Sequence, residues 1–252
     1  MKIVYAVPGV MPPDEARRRE RMLRAWAAPG TQVDVACVEE GPRSIESAYE
    51  EYLSIPAAAR LIVQKEREGY DAAILGCAGD PGLDAMRELT ERMVVVGPGA
   101  VSYHAAAMLG YRMGVLTLDE GLYQSCFDLG YKAGVPGRVA SVVSVDTAVL
   151  DLASDRARLL DGIVKKSLEA MARDRVDVLV IGCMTLGFLD VAQELAERLG
   201  IPVVNPADTA LKAAEMFVSC GLRHSKRAYA TPPKIAAGTV KDFSQLLSKK
   251  GM

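Results

Sequence analysis

The sequence contains an internal repeat whose two copies lie 106 residues apart. Residues 71–84 (DAAILGCAGDPGLD) and 177–190 (DVLVIGCMTLGFLD) align without a gap, and each places Gly-Cys directly after a short apolar run. A short apolar run that passes through glycine into a helical pattern is typical of a buried strand followed by a helix. The repeat therefore predicts two related halves, with Cys77 and Cys183 just beyond the carboxyl end of corresponding strands.

Apolar runs alternate with helical patterns along both halves. Strands are predicted at 2–7, 33–38, 72–75, 94–96, 113–118, 139–145, 178–181 and 203–205. Such alternation favours parallel sheets with helices on both faces. The expected fold class is α/β, with two pseudo-symmetric domains, each a mostly parallel four-stranded sheet, and an active site between them.

The domain boundaries follow from the repeat. Residues 1–98 form the first predicted lobe and residues 99–206 the second, with Gly97-Pro98-Gly99 at the crossing. A further helix is predicted at 207–220, followed by a basic tail that contains two adjacent prolines. We expect residues 207–252 to pack back on the first lobe.

Composition excludes several classes of function. The formal charge is −2 and the isoelectric point is near 5.8, so neither nucleic acid nor an anionic membrane is an expected partner. No apolar run approaches the roughly 20 residues of a membrane helix. The five cysteines lack paired spacing and only two histidines are present, so we expect reduced thiols, no metal site and a cytoplasmic protein.

Two opposed thiols suggest a specific chemistry. A helix N-terminus lowers the pKa of a nearby thiol, and each repeated cysteine precedes a predicted helix. If Cys77 and Cys183 flank one bound carbon, one can remove a proton as the other returns one, which inverts a stereocentre without a cofactor. The competing interpretation of this pair is that both cysteines are inert buried side chains whose packing was duplicated. For the remaining cysteines, Cys37, Cys126 and Cys220, we adopt the inert buried role.

Three segments carry a family resemblance: GCAGDPGLDAMREL at 76–89, GPRSIES at 41–47 and LGYRMGVLTL at 109–118. They resemble the aspartate/glutamate racemase superfamily, most closely its hydantoin and allantoin racemase branch, and the resemblance extends from residue 1 to about 218. It implies a small-molecule substrate held between two domains, no cofactor and no metal, and a homo-oligomer.

The resemblance also implies roles for individual residues. Cys77 and Cys183 match the two catalytic cysteines of the family. Residues that match its substrate-binding loops, or that would close the ends of the cleft, are Pro8, Ala78, Gly79, Thr117, Met184 and Thr185.

Other functions remain open at this stage. A cysteine-dependent decarboxylase or a cis–trans isomerase could use the same cleft, although a decarboxylase needs only one thiol. A bilobal binding protein without catalysis is the alternative from another class.

Two local predictions concern helices near the cleft. Asp80 is expected to cap a helix that has Pro81 in its first turn and continues to about residue 92. Arg17, Arg18, Arg19 and Arg21 are expected to form a solvated helix face balanced by acidic neighbours.

Overall fold

Two four-stranded parallel sheets form the framework of the protein in a computed structural model, which describes residues 1–118, 120–152 and 154–240. The strands of the first sheet are β1 (Lys2–Val7), β2 (Gln32–Cys37), β3 (Ala72–Leu75) and β4 (Val94–Val96), in the order β2-β1-β3-β4. Those of the second are β5 (Met113–Thr117), β6 (Val139–Ser144), β7 (Val178–Ile181) and β8 (Val203–Val204), in the order β6-β5-β7-β8. The identical strand order confirms the predicted α/β fold with two similar halves.

Helices connect the strands in both halves. They are α1 (Pro13–Trp26), α2 (Ala48–Arg67), α3 (Leu83–Leu89), α4 (Pro98–Leu109), α5 (Tyr123–Lys132), α6 (Arg156–Asp174), α7 (Met184–Gly187), α8 (Ala192–Leu199), α9 (Pro206–Ser219) and α10 (Pro233–Ala236). Side-chain caps fix several helix starts: the Ser47 hydroxyl accepts from Glu50 N, and the Asp155 carboxylate accepts from Arg158 N. No helix in the described part of the chain has the length and apolarity needed to cross a bilayer.

Alternating residues of β1 face two separate apolar clusters. Ile3 and Tyr5 pack with residues of α1 and α9, whereas Val4 and Ala6 pack with residues of α2 and α3. Successive side chains of a strand point to opposite faces, so this alternation buries both faces of the sheet under helices.

The lobes share a buried apolar contact. Phe188, from the second lobe, belongs to the cluster that contains Ile3 and Tyr5 of the first. Its ring meets that of Tyr5 edge-on at 5.4 Å between centroids and stacks on Trp26 at 5.9 Å. Ala210 of α9 is buried in the same cluster. This packing fixes one lobe against the other beneath the cleft.

The segment from residue 223 to residue 240 lies against the outer edge of the first sheet. Val95 N donates to His224 Nε2 at 2.8 Å. This hydrogen bond gives an acceptor to a backbone N–H group of edge strand β4. Lys226 Nζ donates to Glu88 O at 2.8 Å, and the Arg87 guanidinium lies 5.2 Å from the centre of the Tyr229 ring. Of the predicted tail, residues 241–252 lie outside the described residues.

The helices after the two cysteines differ from the prediction. α3 begins only at Leu83, after Gly82 in a left-handed conformation, and ends at Leu89 instead of near residue 92. In the second lobe a helix is expected at 188–199, but only α8 lies in that range, and the short α7 precedes it directly after Cys183. Asp80 does not cap α3: its carboxylate accepts from Gly99 N at 3.0 Å and Ala100 N at 2.7 Å, and so caps α4. A long-range contact therefore outweighs the local capping pattern.

Candidate active site

Each glycine of the repeated Gly-Cys pair lets its strand run close to the first strand of its lobe. Gly76 N donates to Ala6 O at 2.7 Å, and Gly182 N donates to Leu116 O at 2.8 Å. A β-carbon on Gly182 would lie 2.5 Å from Leu116 O, and one on Gly76 would lie 2.9 Å from Ala6 O. Since both separations are too short for a β-carbon, the repeat of glycine has a structural cause. The cysteine that follows leaves the sheet at the same point in both lobes.

One cleft of about 310 Å³ lies between the lobes at the carboxyl ends of their strands. Open α/β sheets bind ligands at this edge. Every residue to which the family resemblance assigns a role lines this cleft: Pro8, Cys77, Ala78, Gly79, Thr117, Cys183, Met184 and Thr185. Two distant segments thus present their sulfur atoms to one space.

Some of the groups around Cys183 stabilise its thiolate form. Cys183 is the N-cap residue of α7, and the backbone N–H groups of Thr185 and Leu186 favour the charged form of its sulfur. Burial raises the pKa of the Cys183 thiol, while these two donors and the nearby Arg19 guanidinium oppose that rise.

The surroundings of Cys77 favour the neutral thiol. Burial raises its pKa to about 12, and the Gly79 N–H is the single donor that opposes the rise. The carboxylates of Glu51 and Asp80 raise the pKa further. The expectation that helix N-termini lower the pKa of both thiols is therefore wrong, because desolvation dominates at both positions. The two sulfur atoms nevertheless differ, and Cys183 is the one beside a cation.

Arg19 contradicts the predicted solvated arginine face. It is 4% exposed and lines the cleft. Its guanidinium donates to Glu15 Oε1 at 2.7 Å and to Thr185 Oγ1 at 3.0 Å, and it lies 4.8 Å from the centre of the Phe188 ring. A cation on the first lobe is thus held beneath the second cysteine loop, where it can act on charge that develops in the cleft.

The two cleft threonines have different neighbours. Thr185 Oγ1 accepts from Arg19, so its own proton remains available to a ligand. Thr117 also lines the cleft and acts on the pKa of the Cys126 thiol. Thr185 is therefore equipped to donate to a carbonyl oxygen of a ligand.

Sequence reasoning missed several residues that line the same cleft. Glu51 from α2 and Lys132 from α5 contribute opposite charges from the two lobes, and Cys126 adds a third sulfur. Apolar side chains form the outer wall: Val10, Met11, Ile45, Leu118, Leu122 and Val149. Within residues 1–118, 120–152 and 154–240, no group of three or more His, Cys, Asp or Glu side chains is placed to hold a metal ion.

Comparison with known proteins identifies the family. The sequence matches the Asp/Glu/Hydantoin racemase family over residues 14–214. The hydantoin racemase of Pseudomonas sp. (strain NS671) is 34% identical over 216 residues, which cover 85% of this chain and 86% of that protein. The hydantoin racemase of Paenarthrobacter aurescens is 30% identical over 200 residues, or 79% and 84% of the two chains.

Solved structures agree with this assignment. The allantoin racemase of Klebsiella pneumoniae superposes with a TM-score of 0.85 at 27% identity, over 93% of this chain and 94% of that one. The allantoin racemase of Pseudomonas fluorescens gives a TM-score of 0.81 at 28% identity, over 92% and 97%. The chain therefore belongs to the Asp/Glu/Hydantoin racemase family and is an isomerase of the racemase type.

Proposed function

We propose that this chain is a cofactor-independent, two-base racemase of hydantoins substituted at C5. In this reaction the thiolate of one cysteine takes the proton from C5, and the electron pair of the C–H bond moves to the adjacent carbonyl oxygen. The thiol of the other cysteine then gives its proton to the opposite face of C5, which restores the carbonyl and inverts the centre. The observation that carries the proposal is that Cys77 and Cys183 line one cleft from corresponding positions in two lobes.

The charges around the sulfurs support a division of labour in the free enzyme. Arg19 and two backbone N–H groups act on Cys183, whereas Glu51 and Asp80 act on Cys77. We therefore assign the more readily formed thiolate to Cys183 and the thiol to Cys77. The Thr185 hydroxyl, oriented by Arg19, is the proposed donor to the oxygen that gains charge when C5 loses its proton.

The walls of the cleft support a hydantoin with an apolar substituent. Val10, Met11 and Ile45 of the first lobe face Leu122 and Val149 of the second around the same space. Apolar walls with a few convergent polar groups bind a small polar ring whose side chain is apolar. The curated relatives are named hydantoin racemases, which agrees with this substrate class.

The test follows both chirality and the C5 proton of a single-enantiomer 5-isobutylhydantoin in deuterium oxide. The wild type should lose optical rotation while deuterium enters C5. Cys77→Ala and Cys183→Ala should each lose racemisation by a factor of about 10² to 10⁴. Each variant should still exchange the C5 proton of one enantiomer, and the two variants should prefer opposite enantiomers, because the remaining sulfur faces one side of C5.

Cys220→Ala is the matched control, since Cys220 is exposed and lies outside the cleft. Unchanged racemisation in either cleft-cysteine variant would refute the two-base reaction. The alternatives give other signatures with their own substrates. A decarboxylase would release carbon dioxide from a malonate and need one cysteine, and a cis–trans isomerase would convert an alkene without inverting a centre.

A further inference from the structure

Glu51 places a carboxylate in the cleft beside the loop that carries Cys77. It lies in the first turn of α2, which begins after the Ser47 cap, and its side chain lines the cleft. A β-carbon on Gly79 would overlap Glu51 Oε1 and would lie 3.8 Å from Cys77 Sγ. The carboxylate and the sulfur therefore border the same small volume above Gly79.

Among the described residues, no side chain or backbone group pairs with the Glu51 carboxylate. Within the part of the chain that the structure describes, it accepts no hydrogen bond and forms no ion pair within 4.0 Å. Its neighbour Glu50, in contrast, accepts from Glu46 N at 2.9 Å and from the Ser47 hydroxyl at 2.8 Å. Lys132, on the far side of the cleft, acts on Glu51 only through its charge.

The half-buried Glu51 carboxylate keeps water contact in the open cleft, and a ligand that covered it without offering a donor would remove that water at a cost in free energy. Burial raises the pKa of Glu51 in agreement with this cost. The cost is recovered when a ligand brings a donor to the same position. The chemistry of Glu51 thus selects a ligand with an N–H group close to the carbon that faces Cys77.

A hydantoin has such a group, since its N1–H is bonded to C5 and its N3–H lies across the adjacent carbonyl. The ring-opened N-carbamoyl amino acid instead carries a carboxylate on the reacting carbon and no cationic group, so Glu51 would repel it. We propose that Glu51 recognises a ring N–H of the substrate and thereby selects cyclic ureides over their ring-opened carboxylates. This inference rests on the proposed function and assigns a specificity-determining residue to it.

N-methylated substrates test the contact directly. Racemisation of 5-isobutylhydantoin and of its N1-methyl and N3-methyl derivatives is measured for the wild type, Glu51→Gln and Glu51→Ala. On the parent substrate each variant should lose about 10- to 100-fold in kcat/KM, which corresponds to one hydrogen bond to a charged group. Methylation of the recognised nitrogen should lower the wild-type value by a similar factor and leave less than a threefold difference between wild type and variants.

The ring-opened N-carbamoyl amino acid provides a second measurement. It carries a carboxylate next to the reacting carbon, so its inhibition constant should fall severalfold in Glu51→Gln relative to the wild type. Glu50→Gln is the matched control. It removes the same charge from the neighbouring residue, whose side chain does not line the cleft. Its kcat/KM should stay within twofold of wild type.

The outcomes separate the two proposals. In one outcome, the Glu51 variants lose the same factor in kcat/KM on the parent substrate and on both methylated substrates. That result would overturn the recognition role and leave the racemase proposal intact. A wild-type enzyme that racemises none of these hydantoins would overturn the proposed function and the recognition role with it.

Discussion

Asp80 joins the Cys77 loop of the first lobe to α4 at the start of the second, and the structure sets the expected cost of its removal. The side chain is 8% exposed and accepts two backbone N–H bonds at the start of α4, at 3.0 Å from Gly99 N and 2.7 Å from Ala100 N. Its own backbone has φ 54°, a region that aspartate and asparagine tolerate better than alanine.

The two substitutions should differ in their effect on the free energy of unfolding. Asp80→Ala leaves two donors without an acceptor at about 1–3 kcal/mol each and adds about 1 kcal/mol of backbone strain, so we expect a loss of about 3–7 kcal/mol. Asp80→Asn keeps the backbone preference and one acceptor, so its loss should be about 1–2 kcal/mol. Asp84→Asn, at an exposed carboxylate nearby, should change stability by less than about 0.5 kcal/mol.

Urea unfolding followed by tryptophan fluorescence measures these differences. Trp26 is the single tryptophan and stacks on Phe188 between the lobes, so its emission reports the relevant contact. The rate of racemisation should also fall by about tenfold or more in Asp80→Asn, since a small displacement of a catalytic base is costly. If both Asp80 variants unfold at the same urea concentration as Asp84→Asn, the proposed cap does not hold the loop.

The remaining predictions concern charge and pH. Because burial raises the pKa of the Cys77 and Cys183 thiols, kcat/KM should rise with pH between 7 and 9. A flat pH profile would contradict thiolate catalysis by either cysteine. Arg19→Met should move that rise to higher pH with a loss of tenfold or more at pH 7.5, and an unchanged pH profile would exclude an electrostatic role. Burial lowers the pKa of His224 to about 4, below its usual 6.5, so docking of residues 223–240 should be complete above pH 6.5 and weaken as the pH falls towards 4. Limited proteolysis should then cut this segment faster at pH 5 than at pH 7.5, whereas equal rates would show that the Val95–His224 bond does not hold it.

The sheets could be predicted from the sequence because the repeat and the apolar runs are local signals. Every predicted strand is present, and β1, β3, β4 and β7 have the predicted bounds. The sequence shows that glycine precedes both repeated cysteines, but it does not show why. A β-carbon at either glycine would overlap the carbonyl oxygen of Ala6 or Leu116, which lies on a neighbouring strand. Contacts between distant segments of the chain are not visible in a run of residues.

Helical spacing could have revealed two of the missed residues. Arg19 lies four residues before Leu23 and seven before Trp26, so it shares the buried stripe of α1. Glu51 likewise precedes the buried Ser54 and Ala58 of α2 at intervals of three and seven residues. A charged residue on an apolar stripe marks either a buried ion pair or a binding site, and the abundance of nearby charges obscured this signal in α1. The cap that Asp80 makes on α4 had no local signal.

The duplication places the two sulfurs symmetrically, but contacts outside the repeat make them unequal. Arg19 from α1 reaches the second cysteine loop, whereas Glu51 from α2 lies against the first. In the proposed reaction one thiolate and one thiol are needed at the same time, and equal surroundings would leave the resting state undefined. The two enantiomers of a hydantoin have equal free energy, so kcat/KM must be the same in both directions whatever the asymmetry. The unequal surroundings can therefore change the common value of kcat/KM, the separate kcat and KM of each direction, and which protonation state predominates in the free enzyme, but not the ratio of the two kcat/KM values.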